Sequence, residues 1–326
     1  MPSLSIVGGY LGAGKSTVVN RLLAGVLPGR TAVVVNDFGA VNIDASLISS
    51  RSEDTIELTN GCICCQITDD VQRTMTALAR RSDLDHVVCE VSGVGDPGQL
   101  ASWRRFPGFT AGPVLVCADA TAIRRLLRDE FVGDTVARQL AAAETVLVTK
   151  TDLVSPAEVD AAAALVHAAA PHVHVHRQDR QDPAQTLRAI AAARPWHASG
   201  DSDLSAPRDS VPAASPGTGE DHAVLHRSCV LPSPAPVDVP RLVAVLSGLA
   251  SSLTRAKGVV LDQDGTWQVV QLAGGRTATS PHTGSDAVPR DLSLVLIAAG
   301  PDAGTQLRSA AAALAPVLGS GCTPGA

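Results

Sequence analysis

Lys15 and Ser16 close the run Gly9-Tyr-Leu-Gly-Ala-Gly-Lys-Ser16-Thr17, which satisfies the pattern G-x-x-x-x-G-K-[ST]. In such a run Gly12, Ala13 and Gly14 turn successive backbone N–H groups inward, as a nest for an anion at a helix N-terminus. Lys15 then neutralises the β- and γ-phosphates, the Ser16 hydroxyl ligates Mg²⁺, and Thr17 continues into the helix. An apolar run, Leu4–Val7, precedes the loop, and a helical pattern, Thr17–Val26, follows it. That strand–loop–helix context turns the pattern into an expectation of nucleoside triphosphate binding.

Three further segments stand where such a site would use them. Val33-Val-Val-Asn36-Asp37-Phe38-Gly39 leaves an apolar strand for a loop, so Asp37 is a candidate to position water or metal beside the γ-phosphate. Val87-Val-Cys-Glu90-Val-Ser92-Gly93 ends a strand in a carboxylate able to hold Mg²⁺ through water, and Gly93 lets backbone approach the γ-phosphate. Lys15, Asp37 and Glu90 are thus the expected catalytic groups, with Ser16 and Glu90 on Mg²⁺. Val146-Leu-Val-Thr149-Lys150-Thr151-Asp152 ends a strand in x-K-x-D. Asp152 there can accept from guanine N1–H and the N2 amino group, which adenine does not offer, and the stem of Lys150 can lie along the base. GTP is therefore preferred to ATP. Thr149 stands where an Asn is usual, so its base contact is weakened or replaced.

Asn60-Gly61-Cys62-Ile63-Cys64-Cys65 is the other chemical cluster. Cys62, Cys64 and Cys65 offer three soft thiolates on one tight loop, suited to Zn²⁺ or Cu(I), and leave a tetrahedral ion one position short. An incomplete shell suits transfer or regulation better than a closed structural site. Seven cysteines in all, three of them within four residues, point to metal or redox chemistry in a reducing cytoplasm and away from a disulfide framework.

The elements that must position these groups can be read from periodicity. Up to about residue 195, apolar strands (Leu4–Val7, Ala32–Val35, His86–Val91, Val114–Ala118, Thr145–Thr149, Val173–His176) alternate with helical stretches (Thr17–Val26, Asp69–Arg81, Ala122–Asp129, Val136–Ala143, Ala157–Ala170, Ala184–Ala193). This predicts an α/β fold of the P-loop NTPase type, a doubly wound, mainly parallel sheet, over residues 1–198. Residues 199–222 turn to Ser, Pro, Gly, Asp and Ala without periodicity and read as a flexible linker. Short β-like runs (Val224–Leu231, Gly258–Asp262, Trp267–Leu272, Leu292–Ala298) with helical stretches Val239–Leu249 and Gln306–Leu314 predict a smaller α+β domain over 223–319. Residues 320–326 are expected to be a disordered tail.

With 326 residues the chain is long enough for two cores, and a net charge of −6 gives no nucleic-acid footprint. No stretch of about 18 uninterrupted apolar residues argues for a membrane span, and the start lacks a signal-peptide pattern. A cytoplasmic location, with no nucleic acid or membrane as partner, is the expectation.

Taken in order, Gly9–Thr17, Asn36-Asp-Phe-Gly39, Leu58-Thr-Asn-Gly-Cys-Ile-Cys-Cys65, Glu90-Val-Ser-Gly93 with Asp96-Pro97, and Thr149-Lys-Thr-Asp152 closely resemble the CobW-type GTPases, relatives of the hydrogenase- and urease-maturation GTPases. Arg255-Ala-Lys-Gly258 and the β-run after it look like the family's C-terminal domain. The resemblance implies slow GTP hydrolysis and delivery of a metal, often Zn²⁺, to a client metalloprotein, or handling of Co²⁺. It implies phosphate and Mg²⁺ at Lys15 and Ser16, the base at Lys150 and Asp152, metal at Cys62, Cys64 and Cys65, and a homodimer that depends on metal or nucleotide. The chain departs from the family at Ala40, where a Glu is usual, which removes an oxygen ligand and leaves Asp37 as the nearby carboxylate.

Many relatives carry a His-rich tract. Its nearest equivalent, His172-Val-His174-Val-His176, is predicted to lie on one face of a strand, as a polar sheet edge more than a secondary metal site. Arg104 and Arg105 are the candidates for a cis arginine finger, although a solvated surface suits them better. The expected activity is a metal-linked GTP switch. The alternative is a regulatory or scaffolding GTPase whose cysteines sense metal or redox state. A small-molecule kinase would need an acidic base beyond Asp37 and Glu90, and none stands out.

Overall fold

The computed structural model describes residues 1–35, 55–57, 69–193, 226–282 and 293–319. The chain divides into two compact units; among the described residues the first holds those up to 193 and the second those from 226 onward. The loop Asn36–Ala40, the cysteine loop, the predicted linker and the predicted tail lie outside the described residues.

In the first unit seven described strands form one parallel sheet. They are β1 (Ser3–Gly9), β2 (Thr31–Val35), β3 (Thr55–Glu57), β4 (His86–Glu90), β5 (Thr110–Asp119), β6 (Thr145–Thr149) and β7 (His174–Arg177), in the order β3-β2-β4-β1-β5-β6-β7. The strand order reverses at β1, the place where a doubly wound sheet opens a crevice at the strands' carboxyl ends. Every residue of β1, β4 and β6 is buried, as expected for strands covered on both faces. The expected α/β, P-loop-type sheet is what the chain forms.

Several elements differ from expectation for local reasons. The first helix, α1, runs only over Lys15–Arg21 and passes into a wide turn, Leu22–Val26, because Gly25 takes φ 107°. Asp96-Pro97 opens a short helix, Pro97–Ala101, with the Asp96 carboxylate accepting from Gly98 N–H at 2.7 Å and Pro97 at the first position. The helix Pro156–Ala169 starts on a reciprocal cap between Ser155 and Glu158.

The second unit is an antiparallel sheet of five described strands, β8 (His226–Pro232), β9 (Arg255–Leu261), β10 (Trp267–Ala273), β11 (Arg276–Pro281) and β12 (Ser293–Ala299), ordered β11-β10-β9-β12-β8. Alternate residues Ala256, Val260, Val270, Leu272, Leu294 and Leu296 meet the helices Val239–Gly248 and Ala303–Leu318 in one apolar cluster. It is the expected smaller α+β arrangement, with β11 as an additional, polar edge strand.

Candidate functional site

The phosphate loop is built by backbone geometry. Gly9, Gly12 and Gly14 take φ 131°, 77° and 91°, and a Cβ at Gly9 would come within 2.4 Å of the Cys117 carbonyl. Gly14 in the left-handed region starts α1, so Lys15 to Thr17 occupy the first turn with the positive end of the helix at the loop. Lys15 is 4% exposed and its Nζ donates to the Tyr10 carbonyl at 3.4 Å, folding the ammonium back across its own loop.

Ser16 and Glu90 meet. Ser16 Oγ donates to Glu90 Oε1 at 3.0 Å, joining the start of α1 to the end of β4. Two hard oxygens side by side beneath a phosphate loop fit Mg²⁺, which takes oxygen ligands and keeps waters. The turn after Glu90 packs directly on the loop: a Cβ at Gly93 would come within 2.4 Å of the Leu11 side chain and 2.9 Å of its backbone. Gln139, buried on the helix Gly133–Ala141, pins this turn by donating from Nε2 to the carbonyls of Gly93 (3.2 Å) and Gly95 (2.7 Å).

The predicted base-reading segment is held by side chains. Thr149 is buried, and its hydroxyl donates to the Ala13 carbonyl at 2.8 Å, with the Ala118 carbonyl at 3.3 Å. It ties the end of β6 to the phosphate loop. Lys150 takes φ 55°, the one non-glycine residue in the left-handed region among those described. Its Nζ donates to Asp119 Oδ2 at 2.7 Å, and its N–H donates to Gln178 Oε1 at 3.3 Å. Asp119 spends its other oxygen on the Thr121 N–H and hydroxyl, at 2.8 and 2.7 Å. Asp152 is exposed, and Arg21 lies within its electrostatic reach: burial lowers the guanidinium's pKa, and the Asp152 charge opposes that.

The structure therefore brings Gly12, Ala13, Gly14, Lys15, Ser16, Glu90, Gly93 and Thr149 together at the carboxyl ends of the strands, with Lys150 and Asp152 following β6. Thr17 is exposed on α1. Asp37, Cys62, Cys64 and Cys65 lie outside the described residues. Cys89 on β4 and Cys117 on β5 are buried, and burial pushes each thiol up to about 12. Neither is a thiolate near neutral pH, so neither is ready to ligate a metal.

Two expectations are corrected. Arg105 is exposed, as expected, but Arg104 is not a solvated surface residue: it forms an ion pair with Glu144 at 2.8 Å and donates to the Gly112 carbonyl. Glu144 precedes β6 and Gly112 is near the start of β5, so Arg104 lies at the amino ends of the strands, opposite the site, and is no arginine finger. His172 precedes β7 and places Nε2 3.0 Å from the Ala141 carbonyl, so the three histidines do not share one strand. Burial lowers the pKa of His176, and His174 adds to the effect. Among the described residues no group of three or more His, Cys, Asp or Glu is arranged to hold a metal. No helix among them is long and apolar enough to cross a membrane.

Asp119, Gln139 and Gln178 were not singled out by sequence pattern. Asp119 carried a usable signal, a carboxylate at the end of an apolar strand, just as at Glu90. The two glutamines carried none, since their partners lie 28 to 46 residues away.

A family model described as the CobW/HypB/UreG nucleotide-binding domain matches residues 3–177, more than half of the chain. The zinc chaperone CobW of Sinorhizobium sp is 29% identical over 180 residues, covering 46% of this chain and 51% of that protein. The zinc chaperone YjiA of Escherichia coli (strain K12) is 30% identical over 163 residues, covering 48% and 51%. The chain thus spans about half the length of the curated relatives it matches. The crystal structure of Zn(II)-bound YjiA GTPase from E. coli aligns over 97% of this chain and 98% of that one, at 19% identity and a TM-score of 0.39.

Proposed function

The chain belongs to the CobW/HypB/UreG family through its nucleotide-binding domain, and on that premise we propose that it binds GTP with Mg²⁺, hydrolyses it slowly, and links nucleotide state to the binding and delivery of a transition metal, zinc first. The observation that carries the nucleotide half is the Ser16–Glu90 pair at 3.0 Å beside a buried Lys15. Mg²⁺ held there neutralises charge on the β- and γ-phosphates. The chain's own residues do the rest. Gly12, Ala13 and Gly14 present backbone donors, Lys15 swings from the Tyr10 carbonyl to phosphate, Gly93 faces the γ-phosphate, and Asp152 takes the guanine N1 and N2 donors. Asp37, two residues beyond β2 in sequence, is assigned to the attacking water. Slow turnover is expected with Arg104 committed at the amino ends of the strands, away from the phosphate loop.

The metal half rests on sequence and relatives. Cys62, Cys64 and Cys65 supply three thiolates, and the two relatives described above are named zinc chaperones. Their loop lies in the chain between the Asn36–Ala40 segment and the Glu90–Gly93 turn, both expected to follow the γ-phosphate. Coupling of about 1–3 kcal/mol between metal and nucleotide would change either affinity roughly 5–150-fold, and reciprocally.

The test is chelator competition for Zn²⁺ and Co²⁺ in GTP-analogue and GDP forms, for wild type and Cys64→Ser/Cys65→Ser. One tightly bound ion whose affinity depends on nucleotide, lost in the variant, supports delivery. Binding that ignores nucleotide removes the coupled-carrier reading and leaves a GTPase whose cysteines act as a sensor.

A further inference from the structure

We propose that the Gln178 side-chain amide completes the base site by donating from Nε2 to the O6 carbonyl of a bound guanine. The inference rests on the guanine-nucleotide reading above and assigns a residue to it.

Gln178 is the first residue beyond β7. Its N–H donates to the Val148 carbonyl at 2.9 Å, which fixes it against the carboxyl end of β6. There it braces the predicted base loop at two points. The Lys150 N–H donates to its Oε1, and the Thr151 hydroxyl donates to its backbone carbonyl at 2.7 Å. The first bond sets the amide's orientation, since only the oxygen can accept, and so identifies the remaining atom as the NH2. That Nε2 is buried in a residue 8% exposed, with no acceptor among the described residues. A buried donor left unmet is unfavourable, and native structures rarely keep one without a use.

The base supplies the complementary need. Guanine presents O6 directly beside N1–H, so a donor must stand next to the carboxylate that takes N1–H and N2. Several neighbouring donors on these loops already have partners. The Thr149 hydroxyl proton goes to Ala13, Lys150 Nζ to Asp119, and the Thr151 hydroxyl to Gln178 itself. Three backbone N–H groups after β7 are also used: Asp179 on Thr186 Oγ1, and Gln181 and Asp182 on the Asp179 carboxylate. Arg180 is exposed and donates to the Val154 carbonyl. Among these side chains Gln178 Nε2 is the buried donor without a partner. Adenine places an amino group where guanine has O6, so the same amide would meet a donor and reject it.

The experiment is displacement of a fluorescent guanine nucleotide by GDP, by ADP and by the 2,6-diaminopurine nucleoside diphosphate, which keeps the 2-amino group and replaces O6 by an amine. Wild type is compared with Gln178→Glu, which keeps an acceptor for Lys150 and replaces the donor, with Gln178→Ala, and with Arg180→Ala as control. Thermal melts verify folding. Gln178→Glu is expected to lose GDP affinity by roughly tenfold or more while holding or gaining on the diaminopurine analogue. Gln178→Ala is expected to lose on GDP without that gain, and Arg180→Ala to change neither. If both Gln178 variants leave GDP untouched, or lower all three ligands equally, the assignment is overturned while the guanine reading stands. If wild type itself fails to prefer GDP over ADP, both fall.

Discussion

The phosphate end and the proposed base end of the nucleotide crevice are built by different means. At the phosphate end the shape is backbone: Gly9, Gly12 and Gly14 in left-handed φ, with Ser16 and Glu90 joined by one bond. At the base end the shape is side-chain carpentry: Asp119 holds Lys150, Gln178 holds the turn after it, and Thr149 reaches back to Ala13. Backbone conformations tolerate one or two residue types, so the first end is confined to a fixed local pattern. Side-chain braces can be supplied from any neighbouring strand, and at the second end Thr149 supplies one by donating to the Ala13 carbonyl.

The largest expected effect breaks the two ends apart by function. Lys15→Ala should lower affinity for GDP and ADP alike by on the order of 100-fold, since it removes a phosphate contact common to both. Asp152→Ala should instead collapse the GDP-to-ADP ratio. Parallel titrations measure both; a Lys15→Ala variant that lost only guanine selectivity would refute the division.

Next in size is an alkaline effect confined to the strands that lead into the phosphate end. Cys89 and Cys117 are raised to about 12 in the folded chain, against about 9 for an ordinary thiol. Raised thiols stabilise the fold fully below the unfolded value and lose that contribution as pH climbs from about 9 toward 12. In that window each should cost about 1.4 kcal/mol of stability per pH unit. Denaturant unfolding at stepped pH checks it: Cys89→Ala/Cys117→Ala should show a shallower alkaline decline than wild type, whatever its stability at neutral pH.

Gly93→Ala tests how tightly the turn after Glu90 sits on the loop. The new methyl would meet Leu11 within 2.4 Å, and overpacking of this kind costs about 1–3 kcal/mol. Adding Leu11→Ala should return part of the loss in a thermal melt, but not all, because the Leu11 backbone is also close.

The same contrast explains what the sequence made legible. The phosphate loop, β1, β4, β5 and β6 were readable because a glycine-lysine pattern and continuous apolar runs are local signals. β3 has three residues, and β11, Arg276–Pro281, is a largely exposed edge strand without alternation, so neither carried a hydrophobic pattern to detect. The helix Ala303–Leu318 exceeded its expected span because it keeps Pro316 within its last turn, where a proline would ordinarily argue for an earlier stop. Asp119 was recoverable by the logic used for Glu90, whereas Gln139 and Gln178 acquire their roles only when the sheet places them. The histidine tract shows the opposite failure: period-2 spacing suggested one face, but the strand starts at His174 and leaves His172 outside.

Thr149 is the hinge of the comparison, because its hydroxyl joins the base end to the phosphate end. Thr149→Val keeps the shape and deletes the proton, leaving the Ala13 carbonyl unmet at a cost of about 1 kcal/mol. If the residue is a brace, the phosphate loop loosens and affinity for GDP and ADP should fall together by several-fold, with their ratio unchanged. If Thr149 instead reads the base, the ratio should fall and the absolute loss for ADP should be small. Thr149→Ser retains the donor and should restore wild-type behaviour in the first case. Matched titrations of the three proteins therefore decide between the two roles. A preserved ratio would mean that selectivity at this crevice comes from Asp152 and the groups around Lys150, with Thr149 holding the two ends in register.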